Sequence, residues 1–275
     1  MLAAAVWLAP SAHGSTSLLG PGDHSESITV GPWQRSYIVH VPPGPYRANR
    51  PLILVYHGAG GTSSATEDQT DFAAAADSAG DVVVFLQGVY NTWDDFAGHT
   101  PAEVAHVDDV GYTVAVLNAL VPLVEYNRAR VAAAGLSNGA IMVETLGCRL
   151  AGRLHLIVPV EGQLATAVSP GCAPLRPLNV IEVHGTADPS IPYGGGVFHG
   201  VGGPVSVLSA PASVARWAAL DGCRSHASSP AHAGLALTHY TRCRGGVSVT
   251  LRTIVGGLHV WGARIGTVVT GALAH

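Results

Sequence analysis

Five residues constrain the fold of this 275-residue chain more than any others. Gly135-Leu-Ser-Asn-Gly139 directly follows the run Arg130-Val-Ala-Ala-Ala134 and opens a helical stretch beginning Ala140-Ile-Met-Val-Glu144. A serine flanked by glycines between a strand and a helix predicts a sharp turn that lifts Oγ clear of a sheet. The glycines leave room for the strand and helix to approach each other closely. The amide of Asn138, at the new helix's N-terminus, then faces the place where an oxyanion would develop. In a chain with 34 glycines the pattern alone is modest. The strand before it and the helix after it make Ser137 the candidate nucleophile.

Such a turn belongs to a mostly parallel sheet, and the rest of the chain supplies one. Short apolar runs predict strands at Ser36 to Val41, Leu52 to Tyr56, Val82 to Leu86, Val131 to Gly135, Leu156 to Val160, Val180 to His184 and Val247 to Ile254. The middle ones are near-continuous aliphatic runs, as expected of strands covered on both faces. Helices are expected at about 66–79, 103–125, 138–150, 210–221 and 262–273, the second from Val110, Val114, Val116, Leu117 and Leu120 at near-helical spacing. The alternation predicts an α/β fold with helices on both faces of the sheet. The Gly/Pro-rich stretch from Tyr193 to Pro211 reads as a loop or small insertion. With no repeat and no linker, residues 15–275 read as a single catalytic domain.

The remaining chemistry follows from chain order. Leu52-Ile-Leu-Val-Tyr-His57-Gly-Ala-Gly-Gly61 is a strand running into a glycine-rich loop, which would supply a second oxyanion donor. Ala59 N–H is the first candidate and Gly60 the second; His57 is expected to orient the loop. After Ser137 there are five carboxylates: Glu144, Glu161, Glu182, Asp188 and Asp221. Glu144 lies in the nucleophile's helix, Glu161 one strand too early, Glu182 within a strand, and Asp221 at a helix end beside Cys223. Asp188, in His184-Gly-Thr-Ala-Asp188-Pro, sits just past a buried strand, where a triad acid belongs. Among the histidines after Ser137, His259 alone follows the last strand in a glycine-marked loop, Val255-Gly-Gly-Leu-His259-Val-Trp261. Ser137, His259 and Asp188 are therefore the expected nucleophile, base and acid.

Several classes are disfavoured. All 14 basic residues are Arg, so lysine chemistry and a P-loop are excluded. A net charge of −4 gives no footprint for nucleic acid or an anionic membrane. No uncharged apolar run reaches the length of a spanning helix. Without C-x-x-C or paired-histidine spacing, no metal is expected. Leu2 to Gly14 resembles the apolar core and cleavage zone of a signal peptide, truncated or otherwise, so residues 1–14 read as a leader and the protein as secreted. Cys148, Cys172, Cys223 and Cys243, even in number, then suggest two disulfides rather than free thiols. Of three connectivities, the sequential one closes the shortest loops, each worth roughly 3 kcal/mol.

From Arg35 to Gly262 the chain resembles the polyhydroxybutyrate-depolymerase and feruloyl-esterase (LpqC-like) family of α/β-hydrolases. The resemblance is carried by Arg35-Ser-Tyr-Ile-Val-His-Val-Pro42, Pro51-Leu-Ile-Leu-Val-Tyr-His-Gly58, Val107-Asp-Asp-Val110, Gly135-Leu-Ser-Asn-Gly-Ala140, His184-Gly-Thr-Ala-Asp188 with Ile191-Pro-Tyr193, and His259 with Trp261. It implies the α/β-hydrolase fold and an exported, cofactor-free serine carboxylic-ester hydrolase. Its substrates would be small or polymeric esters: hydroxyalkanoate esters, or feruloyl and acetyl esters of polysaccharide. It also implies paired cysteines and an aromatic-lined cleft, for which Trp93 and Trp261 are the candidates. Asp108 and Asp109 are expected to cap and position a helix. Three features depart from the family: Ala59 stands where a Cys is usual, the loop after His259 lacks a Pro, and no substrate-binding module accompanies the domain. A serine peptidase of the same fold, or a non-catalytic binding protein on this scaffold, is the competing expectation.

Overall fold

A strand covered on both sides is apolar at nearly every position, as in the central runs Leu52-Ile-Leu-Val-Tyr56 and Val82-Val-Val-Phe-Leu86. The computed structural model describes residues 18–45, 49–98 and 100–274; the leader expected at 1–14 lies outside them. Twelve strands are formed among the described residues: β1 (Gly22–Val30), β2 (Trp33–Val41), β3 (Leu52–Tyr56), β4 (Val82–Leu86), β5 (Val131–Leu136), β6 (Leu156–Val160), β7 (Asn179–Gly185), β8 (Gly196–Gly200), β9 (Gly203–Val207), β10 (Ser225–His232), β11 (Leu235–Thr241) and β12 (Val249–Ile254). Ten of them make one sheet in the order β1-β2-β4-β3-β5-β6-β7-β12-β11-β10. From β4 to β12 the pairing is parallel, and at both edges it turns antiparallel.

Side chains alternate across the sheet into two cores. On one face Leu52, Leu54 and Tyr56 pack with α4 (Asp109–Ala119), α5 (Asn138–Leu150) and α6 (Ala210–Leu220), through Tyr112, Met142, Leu146, Val214 and Trp217. On the other, Ile53, Val55, Val83 and Phe85 meet α2 (Phe72–Ala79) and α7 (Ile265–Leu273) through Phe72, Ala76, Val269 and Leu273. No helix among the described residues is long and apolar enough to cross a membrane.

Three sequence expectations change. The helix expected at 66–79 is two, α1 (Ser63–Gln69) and α2, separated at Thr70 and Asp71. That expected at 103–125 is α3 (Pro101–Val104) followed by α4, because the Asp108 carboxylate accepts from Gly111 N–H and starts a fresh helix. The 193–211 loop contains the β8–β9 hairpin, and the segment between Cys223 and Cys243 is the β10–β11 pair. The cysteines pair as Cys148–Cys172 and Cys223–Cys243.

Candidate active site

In a parallel sheet every loop after a strand emerges at the same rim, so residues far apart in sequence can gather there. Ser137 follows β5 and caps α5 with φ 58° and ψ −123°, a strained conformation for a residue with a Cβ. Its amide donates to the Val160 carbonyl at 3.0 Å, while its own carbonyl accepts from Ala140 and Ile141. Both flanking glycines are required sterically. A Cβ on Gly135 would lie 2.1 Å from the Gly139 carbonyl oxygen, and one on Gly139 would lie 2.4 Å from that of Tyr56.

The loop after β3 is fixed by His57, whose Nε2 accepts from Gly88 N–H at 3.0 Å. Its other ring nitrogen therefore carries the proton and donates to the Gly58 carbonyl at 2.8 Å. Burial pushes the ring down to about 4, so it stays neutral. Gly60 N–H is used by the Asn91 carbonyl and Gly61 N–H by that of Gly58. Ala59 N–H has no partner among the described residues. The Asn138 amide, first in its helix, lacks an intrahelical partner for geometric reasons. Both residues line a cleft of about 650 Å³ together with Ser137 and His259.

His259 lies in the loop after β12 and Asp188 in the loop after β7. The ring donates from Nδ1 to Asp188 Oδ2 at 2.8 Å. The other carboxylate oxygen accepts from the amides of Ser190 and Ile191 at 2.7 and 3.0 Å. Burial raises this carboxyl, but the His259 bond and the two amides outweigh it and hold it below the usual aspartate value. The charged form is thus the one beside the imidazole. Among the described residues no hydrogen bond joins the Ser137 hydroxyl to the His259 ring, a contact that commonly tightens only with substrate bound.

The Asn138 side chain serves the wall of the cleft. Its Oδ1 accepts from Trp93 N–H at 2.9 Å and its Nδ2 donates to the Trp93 carbonyl and to Asp95, the latter at 2.6 Å. The same loop is held from outside by Asp109, which accepts from Asp94 N–H and from the buried guanidinium of Arg35. Asp108 and Asp109 therefore start a helix and brace a loop.

No family model matches the sequence. Feruloyl esterase B of Piromyces equi is 31% identical over 215 residues, 77% of this chain and 40% of that protein. NocK of Nocardia uniformis subsp. tsuyamanensis is 30% identical over 173 residues, 62% of this chain and 50% of its own length. Among solved structures, the feruloyl esterase module from Clostridium thermocellum, complexed with sinapinate, superposes with a TM-score of 0.55 at 13% identity, over 98% of this chain and 93% of that one. The chain has the α/β-hydrolase fold, and over 77% of its length its sequence is similar to a feruloyl esterase. It spans half or less of the length of these curated relatives.

Two residues expected to line the cleft do not. Trp93 is fully buried; its Nε1–H donates to the His57 carbonyl at 2.8 Å, and its ring stands edge-on to Tyr56. It holds the glycine loop, and substrate cannot reach it. Trp261 packs edge-on against Phe72 beside α7 and faces a different pocket. The cleft walls are instead Ile141, Ile191, Phe198, Val201 and Val205, with Pro189 and Pro192. Phe198, Val201 and Val205 come from the stretch read as a loop, where no periodicity marked them. Glu161 and His184 are buried around Asp188; chain order sets Glu161 aside as one strand too early for the triad acid and gives His184 no role, although a carboxylate placed directly after a buried parallel strand is a signal in itself.

Proposed function

We propose that this hydrolase cleaves carboxylic esters, with Ser137 as nucleophile, His259 as general base and acid, and Asp188 as the group that orients the imidazole. The single observation that carries the reading is the His259–Asp188 hydrogen bond set beside the cleft that the strained Ser137 lines. His259 takes the hydroxyl proton as Oγ adds to the ester carbonyl, then returns it to the departing alcohol. The Ala59 and Asn138 amides receive the developing oxyanion. Water repeats the cycle on the acyl-enzyme and releases the acid.

The predominantly apolar walls favour an apolar acyl group, and the volume accommodates an aromatic one. Together with the names of the relatives, this supports a feruloyl-type ester of polysaccharide over a hydroxyalkanoate ester. Two disulfides support export to an oxidising compartment. Purified protein assayed on methyl ferulate, acetylated xylan, hydroxybutyrate oligomers and p-nitrophenyl butyrate tests the substrate class. Ser137→Ala is expected to lower turnover on the order of 10⁶-fold and to abolish fluorophosphonate labelling. A variant that keeps more than a few per cent of the activity ends the assignment, and labelling without ester turnover points to a peptidase.

A further inference from the structure

Glu161 occupies a place that sheet packing alone does not require. It is the residue immediately after β6, holds φ 50° without being glycine, and is buried. Both of its carboxyl oxygens face Gly185 N–H, at 2.9 and 3.1 Å. Its carboxyl lies within 4.8 Å of those of Asp188 and of the His184 ring nitrogen. His184 Nε2–H donates to the Ile191 carbonyl at 3.0 Å and stands 3.4 Å from both carboxylates.

We propose that Glu161 is a positioning residue for the reaction, its carboxyl O–H donating to Asp188 and fixing that carboxylate against His259. The inference rests on the Ser137–His259–Asp188 reading above. Two adjacent buried carboxyls cannot both ionise cheaply, so one proton stays between them. The environment decides its owner. Asp188 accepts from His259 and two amides, whereas Glu161 has one amide only. Burial, with the Asp188 charge beside it, pushes Glu161 up to about 8 against the Gly185 amide, while Asp188 is held low.

The other titratable and charged groups around Glu161 do not alter this allocation. On β7, His184 is held neutral by burial, and Glu182 is itself pushed well up by burial and by Glu144. Arg252 on β12 and Arg264 beyond the His259 loop line the pocket that reaches Glu161, and neither makes an ion pair with it. At neutral pH Asp188 therefore carries one charge and receives an O–H. Above the Glu161 transition two anions face each other, and the hydrogen bond that seats Asp188 is lost.

The test is the pH dependence of kcat/KM on p-nitrophenyl butyrate for wild type, Glu161→Gln and Glu161→Ala, with thermal melts of each. In wild type we expect an alkaline fall centred near 8. Glutamine donates an N–H but cannot ionise. Glu161→Gln should keep at least about a third of the wild-type rate at pH 7, and its alkaline fall should vanish or move up by more than about one pH unit. Glu161→Ala should lose roughly ten- to a hundred-fold at pH 7, the worth of a charge-assisted hydrogen bond. A glutamine variant with the wild-type alkaline fall overturns the proposal, whatever its melting temperature, because a purely structural role would not tie the fall to this carboxyl. If the alanine variant does not fold, the glutamine profile decides alone. Ser137→Ala, run in parallel, separates the two readings. Activity surviving there removes the triad itself, whereas an inactive control with an unmoved fall removes only the role of Glu161.

Discussion

Ser137 can hold its positive φ only because its neighbours have no side chains in the way. The close approach runs from Gly139 to the carbonyl oxygens of Tyr56 and His57, at 2.4 and 2.5 Å from where a Cβ would stand. A methyl group there must push the end of β3 away, and Ala59, the proposed oxyanion donor, follows three residues after Tyr56. Gly139→Ala is therefore expected to cost about 1–3 kcal/mol of stability by overpacking and to reduce kcat by more than the folded fraction explains. Melting curves alongside kcat at a temperature where the variant is fully folded check this; normal kcat in a destabilised variant would separate the turn from the donor. At this scale the sequence was most informative. Chain order alone selected Ser137, Asp188 and His259, because each must follow a particular strand of a parallel sheet. It set Glu161 aside as one strand too early for the triad acid, since a search for one acid assigns no role to a second carboxyl beside it. It misplaced Trp93 and Trp261 because an aromatic near the site in sequence can as well be buried under the loop as exposed in the cleft.

The hairpin β8–β9 is the element that decides what the cleft accepts. It is joined to the body by the Ala165–Val207 bridge and by a small apolar cluster of Ile141, Ala165, Ile191, Val205 and Val207, with Phe198 packed on it. Phe198 lines the same cleft as Ser137 and His259. Phe198→Ala is expected to raise KM for an aromatic acyl ester roughly ten-fold, the cost of about 1–3 kcal/mol of apolar contact, with little change for an acetyl ester. Equal effects on both esters would show that the hairpin contributes stability and not selection. The hairpin was illegible in the sequence, because the six glycines from Gly194 to Gly203 suggest a loop and β8 is largely exposed. The same reason hid β10, Ser225–His232, which is exposed at every position after the first. Strands that bury neither face leave no hydrophobic period to read. The inner strands β3 to β6, apolar throughout, matched their expected bounds to within a residue.

For the molecule as a whole, the formal charge of −4 assumes that every carboxyl is ionised, and the folded state does not allow it. Glu144 on α5 is completely buried, accepting from the Trp217 indole at 2.5 Å and from the Ser213 hydroxyl at 3.3 Å. Glu182 on β7 is completely buried near it. Burial pushes Glu144 up to about 8, and burial with the Glu144 charge pushes Glu182 well above the ordinary glutamate range. Asp95 in the cleft wall is pushed up to about 7, again by burial. Each of these groups binds its proton more tightly folded than unfolded. Their contribution to stability is complete below the unfolded values, 4.5 for the two glutamates and 3.8 for Asp95, and is lost as pH rises through the folded values. Asp188 works in the opposite direction, but its contribution is lost only in acid, below the window that matters here. The melting temperature should therefore fall between pH 5 and pH 8, by about 2–4 °C for each kcal/mol removed. Glu182→Gln keeps the shape and removes the titration, so it should flatten that slope while leaving the kcat/KM profile as in wild type. A wild-type melting temperature that is constant across this range would mean that these carboxyls reach water or a cation partner in solution, and that the interior is less dry than the packing of α5 and α6 on the sheet implies.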